Sequence, residues 1–245
     1  KIQSYTSRLA FKEKARQLYL KSCKMKAFII TLLNDAWSLS YAERCLQSIQ
    51  ETESDLEATL FEATTPETIF PVAWTWPTGK KITCPKTNLL LKPYKTYDNN
   101  KRIAAAQSHF RLWQMCVSMN EPIMILEHDA LFTRKFTEPK LFDNVGAYSI
   151  NDPRGSTFKA EDYHNGLQEG FNNVPWVASK NIPQGLPGHS AYVITPWAAR
   201  DIIEKQDSIG WWPNDAIMCS QLCGWLFVYK PYFTKTQGIK STTSL

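Results

Sequence analysis

The chain has 245 residues, 43% hydrophobic and 21% charged, the make-up of a folded globular domain and not of a disordered or fibrous chain. No apolar run approaches the roughly 18 residues of a membrane span, and the N-terminus lacks the apolar stretch of a signal peptide. The net charge of +5 is concentrated in residues 1–24, where seven Lys/Arg face a single Glu, so the remaining residues are close to neutral.

That leader divides the chain into a basic helical extension, 1–24, and a domain of 25–245. The extension suits a helix lying on a membrane surface or on nucleic acid, or a solvated helix docked through Leu9, Leu18 and Leu20. The six Cys include no C-x-x-C pair, which argues against a zinc knuckle or redox motif. With no glycosylation sequon either, a reduced, cytoplasmic setting is expected.

Residues 25–33, "MKAFIITLL", are short, β-branched and aromatic, and predict a buried strand. Ser40 and Glu43 have capping-box spacing. Ala42, Cys45, Leu46 and Ile49 then repeat on one helical face. "LEATLFEAT" (56–64) predicts a second strand, so the opening is β-α-β, the start of a parallel sheet. Residues 64–100 hold five prolines with Trp74 and Trp76. An irregular stretch of that length is functional or disordered, and its aromatics favour order. Helical period returns with Ile103, Ala106, Phe110, Trp113 and Val117. "PIMILE" is apolar throughout, as a central strand covered on both faces should be. "VGAYSI" predicts another strand, 151–188 a loop-rich region, and "SAYVIT" a further strand. Thr195 as N-cap and Pro196 at the first position open a helix. "GWWPNDAIMCSQLC" predicts one more helix, and "WLFVYKP" the last strand. Cys219 and Cys223 have helical spacing and suit the core. No glycine-rich phosphate loop is present.

The apolar strand at 122–126 runs straight into Glu127, His128 and Asp129. Acids so near a core are costly unless a cation or exposure at the strand end offsets them. In open α/β sheets ligands bind beyond the carboxyl ends of strands. Residues i and i+2 on extended backbone point the same way, so Glu127 and Asp129 offer converging hard oxygens suited to Mg²⁺ or Mn²⁺. Ordinary polar residues where a strand meets water would read the same locally.

The run "AAAQSHFRLWQMCVSMNEPIMILEHDALF" resembles the signature of glycosyltransferase family 25, the lipopolysaccharide and collagen sugar transferases. Ser108, His109, Leu112 and Trp113 match its helix, and Glu127, His128 and Asp129 its acidic triplet, with His128 replacing the central acid. "PGHSAYVITPWAARDIIE", "WPNDAIM" and "KTQGIKSTTS" match later segments in order, and "FIITLL" stands at the family's first strand. The family's Gly-Glu-Ile-Gly before the Ser-His is here Lys101-Arg102-Ile103-Ala104.

The resemblance implies a single GT-A-like α/β domain, a mostly parallel sheet flanked by helices. It also implies inverting transfer from a nucleotide sugar, UDP-linked by preference, to a hydroxyl of a glycan. Asp129, Glu127 and His189 become the expected ligands of Mn²⁺ or Mg²⁺, although His189 also suits a hydrogen-bonded loop residue. Asp215 becomes the expected base, unless it only caps the next helix. Trp211 and Trp212 become acceptor-stacking residues. Thr31, Ser108, His109, His128 and Gln237 are placed toward the donor, with Ser241 near the diphosphate. Two rival readings stay open: transfer to hydroxymethylated bases in DNA, marked by salt-dependent binding, and a degenerate transferase that only binds glycan or a partner protein.

Overall fold

The protein is described by a computed structural model covering residues 24–154 and 159–239. Residues 1–23 of the basic leader and Ser241 lie outside the described residues. Five elements open the fold: β1 (Met25–Thr31), α1 (Ala36–Glu51), β2 (Leu56–Glu62) and a short ribbon of β3 (Ile82–Thr83) and β4 (Leu90–Leu91). Then come α2 (Asn99–Met119), β5 (Ile123–Glu127), β6 (Ala130–Phe132), β7 (Ala147–Ser149), α3 (Ala160–Asn165) and β8 (Gly170–Asn173). The chain closes with β9 (Ala191–Ile194), α4 (Pro196–Ile209), α5 (Asn214–Ile217), β10 (Leu226–Lys230) and β11 (Thr234–Thr236).

Seven strands form one sheet in the order β2-β1-β5-β9-β7-β10-β8. The pairs β1–β2, β1–β5 and β10–β7 are parallel, whereas β9 runs antiparallel to both its neighbours and β8 antiparallel to β10. Five strands therefore share one direction, and the expected mixed α/β domain is met with two reversals.

Strand periodicity divides the core. Ile123, Ile125, Tyr192 and Ile194 join one cluster, on the face covered by α2 and α4. Met124, Leu126, Ala191 and Val193 join the other, beneath α1 and β6. Residues i and i+1 on a strand point to opposite faces, so a strand buried on both sides must be apolar, as β5 is from Ile123 to Leu126, before Glu127 at its end. Full burial of each such aliphatic side chain contributes about 1.5–3 kcal/mol.

Several boundaries differ from the sequence expectations. The first helix starts at Ala36, because Asp35 accepts a hydrogen bond from Ser38 N at 2.6 Å and acts as N-cap. Ser40 is thus inside the helix, and the Ser40–Glu43 box is not its start. Thr195 caps by position only, since its hydroxyl donates to Gly146 O at 2.9 Å. The helix expected after Trp212 is limited to one turn, α5. The proline-rich excursion is ordered, pairing Trp74 with Trp211 and contributing the β3–β4 ribbon. Among the described residues no helix is long and apolar enough to cross a membrane.

Candidate active site

A cavity of about 920 Å³ opens at the carboxyl end of β5. Its walls come from the ends of β1 and β2, the first turns of α2, the acid turn after β5, the 186–190 segment before β9, and α5.

The acid turn is the floor. β5 ends at Glu127, His128 and Asp129 form a tight turn, and β6 begins at Ala130. A turn breaks the two-residue alternation of a strand, so all three side chains line the cavity. Gln237 secures the turn from behind. Its backbone N donates to Asp129 O at 2.8 Å, and its side-chain amide donates toward the carbonyls of Tyr41 (3.0 Å) and His128 (3.2 Å). The NH2 of the amide is therefore spent on backbone carbonyls, and Gln237 positions the acids.

Burial dominates the electrostatics here. Glu127 keeps 41% of its side-chain surface open, but open to the cavity, with protein on its other sides. Desolvation pushes its carboxyl up to about 7. Asp129 is pushed up to about 6 by burial and then by repulsion from Glu127, against a stabilising hydrogen bond from Ser190. Asp129 Oδ1, both ring nitrogens of His189 and Gln237 Oε1 are buried with no hydrogen-bond partner. Native proteins rarely leave such atoms unmatched, and a cluster of them beside two destabilised carboxylates fits a bound cation.

Among the described residues no three His, Cys, Asp or Glu side chains converge on one cation-sized point. His189 lies flat on Tyr192, ring centroids 4.3 Å apart, and stands beside the acid pair without closing a three-donor set. Two carboxylates with substrate phosphates and water completing the shell is an arrangement Mg²⁺ tolerates.

His109 is held by a chain of buried hydrogen bonds. Trp113 Nε1 donates to Tyr192 Oη at 2.9 Å, and Tyr192 Oη lies 2.9 Å from His109 Nδ1. The phenol has one proton, and the indole nitrogen cannot accept it. The arrangement that leaves no buried group unmatched sends that proton to His109 Nδ1 and gives the imidazole its Nε2–H tautomer. That N–H faces Glu127 Oε1 at 3.6 Å, a contact longer than a hydrogen bond. Desolvation lowers His109 to about 3, so it is neutral. His109, set toward the donor by the sequence reading, lines the cavity, whereas Tyr192 was not singled out although it lies in the matched segment "PGHSAYVITPWAARDIIE".

Asp215 lines the cavity from the first turn of α5. Burial pushes it up to about 6, while the Arg102 charge and a hydrogen bond with Tyr94 act the other way. Arg102 stacks over the Tyr94 ring at 4.7 Å. Tyr94 and Arg102 were both missed as site residues, one hidden in the irregular excursion and the other noted only as a departure from a family pattern. Gly185 abuts the Asp215 carbonyl so closely that a Cβ would lie 2.2 Å from it.

Other expected residues are placed differently. Thr31 is fully buried and bonds to Ile29 O within its own strand. Ser108 lines the cavity as expected for a residue set toward it, while its hydroxyl donates to Ala104 O and accepts from Thr64 N, joining α2 to the end of β2. Trp212 is fully buried, its indole donating to Thr75 Oγ1, and Trp211 packs on Phe110 with ring centroids 4.6 Å apart. Neither tryptophan presents a face to a sugar, because each fills the core behind α5. His128 does line the cavity, edge-on to Trp37 at 5.7 Å.

A family model described as glycosyltransferase family 25 (LPS biosynthesis protein) matches residues 24–218. No curated protein sequence matches the chain. Among solved structures, one similar chain is described as a glycosyltransferase involved in the glycosylation of the major capsid of PBCV-1. The two are 9% identical with a TM-score of 0.42, covering 89% of this chain and 94% of that one.

Proposed function

Since the chain belongs to glycosyltransferase family 25 and is a glycosyltransferase by that membership, we propose that it moves a sugar from a nucleotide-sugar donor, UDP-linked by preference, to a hydroxyl of a glycan with inversion. The observation that carries this reading is the acid turn. Glu127 and Asp129 sit together on the floor of a large cavity, raised by burial, with Asp129 Oδ1 unmatched. These two residues would hold a divalent cation, Mn²⁺ or Mg²⁺. When bound, such an ion supplies electrostatic stabilisation of charge developing on a departing diphosphate.

The chain's own groups account for the rest. Gln237 and the β6–β11 pairing fix the turn that presents the carboxylates. His109, neutral and locked in one tautomer, turns an N–H toward Glu127. Asp215, raised to about 6, is suited to accept a proton from an acceptor hydroxyl near neutral pH, with Tyr94 and Arg102 orienting it. Inversion needs one such base on the face opposite the leaving group, and Asp215 approaches the cavity from a different element than the acid turn.

The test is a panel of nucleotide sugars screened for hydrolysis and transfer, with and without Mn²⁺, on the wild type and Asp129→Ala. The expected result is metal-dependent turnover of one donor and its loss by a factor of at least about 10²–10³ in the variant, with the fold retained. Near-normal turnover of Asp129→Ala would remove the cation role.

A further inference from the structure

The irregular excursion between β2 and α2 has a charge pattern that nothing above uses. Between Glu67 and Asp98 it carries five lysines and no acid, and Lys101 and Arg102 follow directly. From residue 25 onward the rest of the chain has fourteen Lys/Arg against twenty-two Asp/Glu, so the domain is strongly bipolar.

The fold gathers these charges. The β3–β4 register pairs Ile82 with Leu91, and carried one residue outward it sets Lys81 beside Lys92 at the open end of the ribbon. Lys80 adjoins them in sequence. Lys95 is drawn to the cavity wall because its carbonyl accepts from Arg102 Nη2 at 3.0 Å. Lys101 and Arg102 line the cavity itself. Lys80, Lys81, Lys92 and Lys95 are exposed, and none forms an ion pair with any described residue. Lys86, by contrast, is tied to Ser208 O at the other end of the ribbon. Like charges placed side by side on a ribbon repel, and an anion bound among them relieves that repulsion.

We infer that the acceptor is an acidic glycan, one bearing carboxylate, phosphate or sulfate groups, gathered by Lys80, Lys81, Lys92 and Lys95 at the approach to the cavity. This rests on the transferase reading above and adds the charge class of the substrate. A glycan is favoured over duplex DNA because, among the described residues, this run of lysines outside any ion pair is gathered at one ribbon end. A long rigid polyanion reaching past it would meet the acidic remainder of the domain, which a short flexible glycan avoids.

The experiment compares the full chain with a variant carrying Lys80→Ser, Lys81→Ser, Lys92→Ser and Lys95→Ser. Fluorescence anisotropy follows a labelled heparin hexasaccharide, a size-matched neutral maltohexaose and a short DNA duplex. The expected result is preferential binding of heparin that weakens roughly tenfold or more between about 50 and about 200 mM salt, and comparably in the variant. Maltohexaose binding equally well, or the variant keeping full affinity for heparin, overturns the inference. A duplex that outcompetes heparin also overturns it, in favour of a nucleic-acid acceptor. Mn²⁺-dependent donor hydrolysis on both proteins separates the two readings. Its absence in the wild type counts against the transferase mechanism, whereas its loss in the lysine variant alone shows that these residues belong to the catalytic cavity and overturns a separate acceptor surface.

Discussion

Replacing Tyr192 by Phe removes one oxygen and keeps the ring that stacks on His189. That oxygen joins Trp113 Nε1 and His109 Nδ1, each at 2.9 Å, and Trp113 and Tyr192 are fully buried with His109 nearly so. The variant leaves an indole N–H and an imidazole nitrogen without partners. Each unmatched buried group costs about 1–3 kcal/mol, so the loss should lie around 2–5 kcal/mol. For a domain of this length 1 kcal/mol corresponds to about 2–4 °C, so the midpoint should fall by roughly 4–20 °C. Scanning calorimetry and urea unfolding give the stability. Nitrogen-15 correlation spectra of His109 give the tautomer, which in the wild type should be protonated at Nε2. In the variant that tautomer loses its only donor to Nδ1, and the Nε2–H fraction should drop. A midpoint shift under about 2 °C, or a wild-type His109 protonated at Nδ1, would refute the hydrogen-bond chain as drawn.

Other consequences follow from the same cavity. The folded-state carboxyls of Glu127, Asp129 and Asp215 are raised to about 7, 6 and 6, so between roughly pH 4 and 7 the folded chain binds more protons than the unfolded one. Their ionisation therefore lowers the stability of the metal-free protein as pH rises through that window, and Asp129→Asn should be the more stable protein at pH 8 with the difference vanishing at low pH, as thermal melts would show. Stabilisation by Mn²⁺ should accordingly be larger at pH 8 than at pH 5, and an equal shift at both would contradict the acid pair as its ligands. Gly185→Ala sets a methyl 2.2 Å from the Asp215 carbonyl, so α5 must move. Turnover should fall at least tenfold with donor affinity little changed, and an unchanged kcat would argue against Asp215 as the base. Gln237→Glu turns an amide donor facing backbone carbonyls into an acceptor. Stability should drop by about 2–4 kcal/mol in urea titrations, while Gln237→Met should lose less.

The main elements were legible because their signals are local. The period-2 and period-3.6 patterns of β1, α2, β5 and α4 arise from burial on known faces, and the acid triplet contradicts the core around it loudly enough to be seen in one sequence. What failed depended on partners far along the chain. Ser40 has the chemistry of a cap, but Asp35 came first and was unopposed. Trp211 and Trp212 have the chemistry of sugar platforms, but the excursion from β2 to α2 covers them, pairing Trp74 with Trp211 and Thr75 with the Trp212 indole. Gln237 was set toward the donor by its match to the family's closing Gln; its amide donates to the carbonyls of Tyr41 in α1 and His128 in the acid turn.

The strand direction of β9 explains why the site lies where it does. Had β9 run parallel to β5, its carboxyl end and the start of α4 would have flanked Glu127. Running antiparallel, it brings its amino end there instead, so that Glu127 N donates to Ser190 O at 2.8 Å. The segment that carries His189 and Ser190 is thereby set against the acid turn, and Tyr192, two residues further, reaches His109 and Trp113 on α2. One reversal thus supplies the hydrogen bond to Asp129, the stacked imidazole and the tyrosine that holds His109. Nothing in the composition of "SAYVIT" signals direction, because a strand buried on both faces is apolar whichever way it runs. The acid turn and His109 stood out in the sequence, whereas Tyr192, Tyr94 and Arg102 did not, and the assembly of all of them depends on a topology that local pattern does not carry.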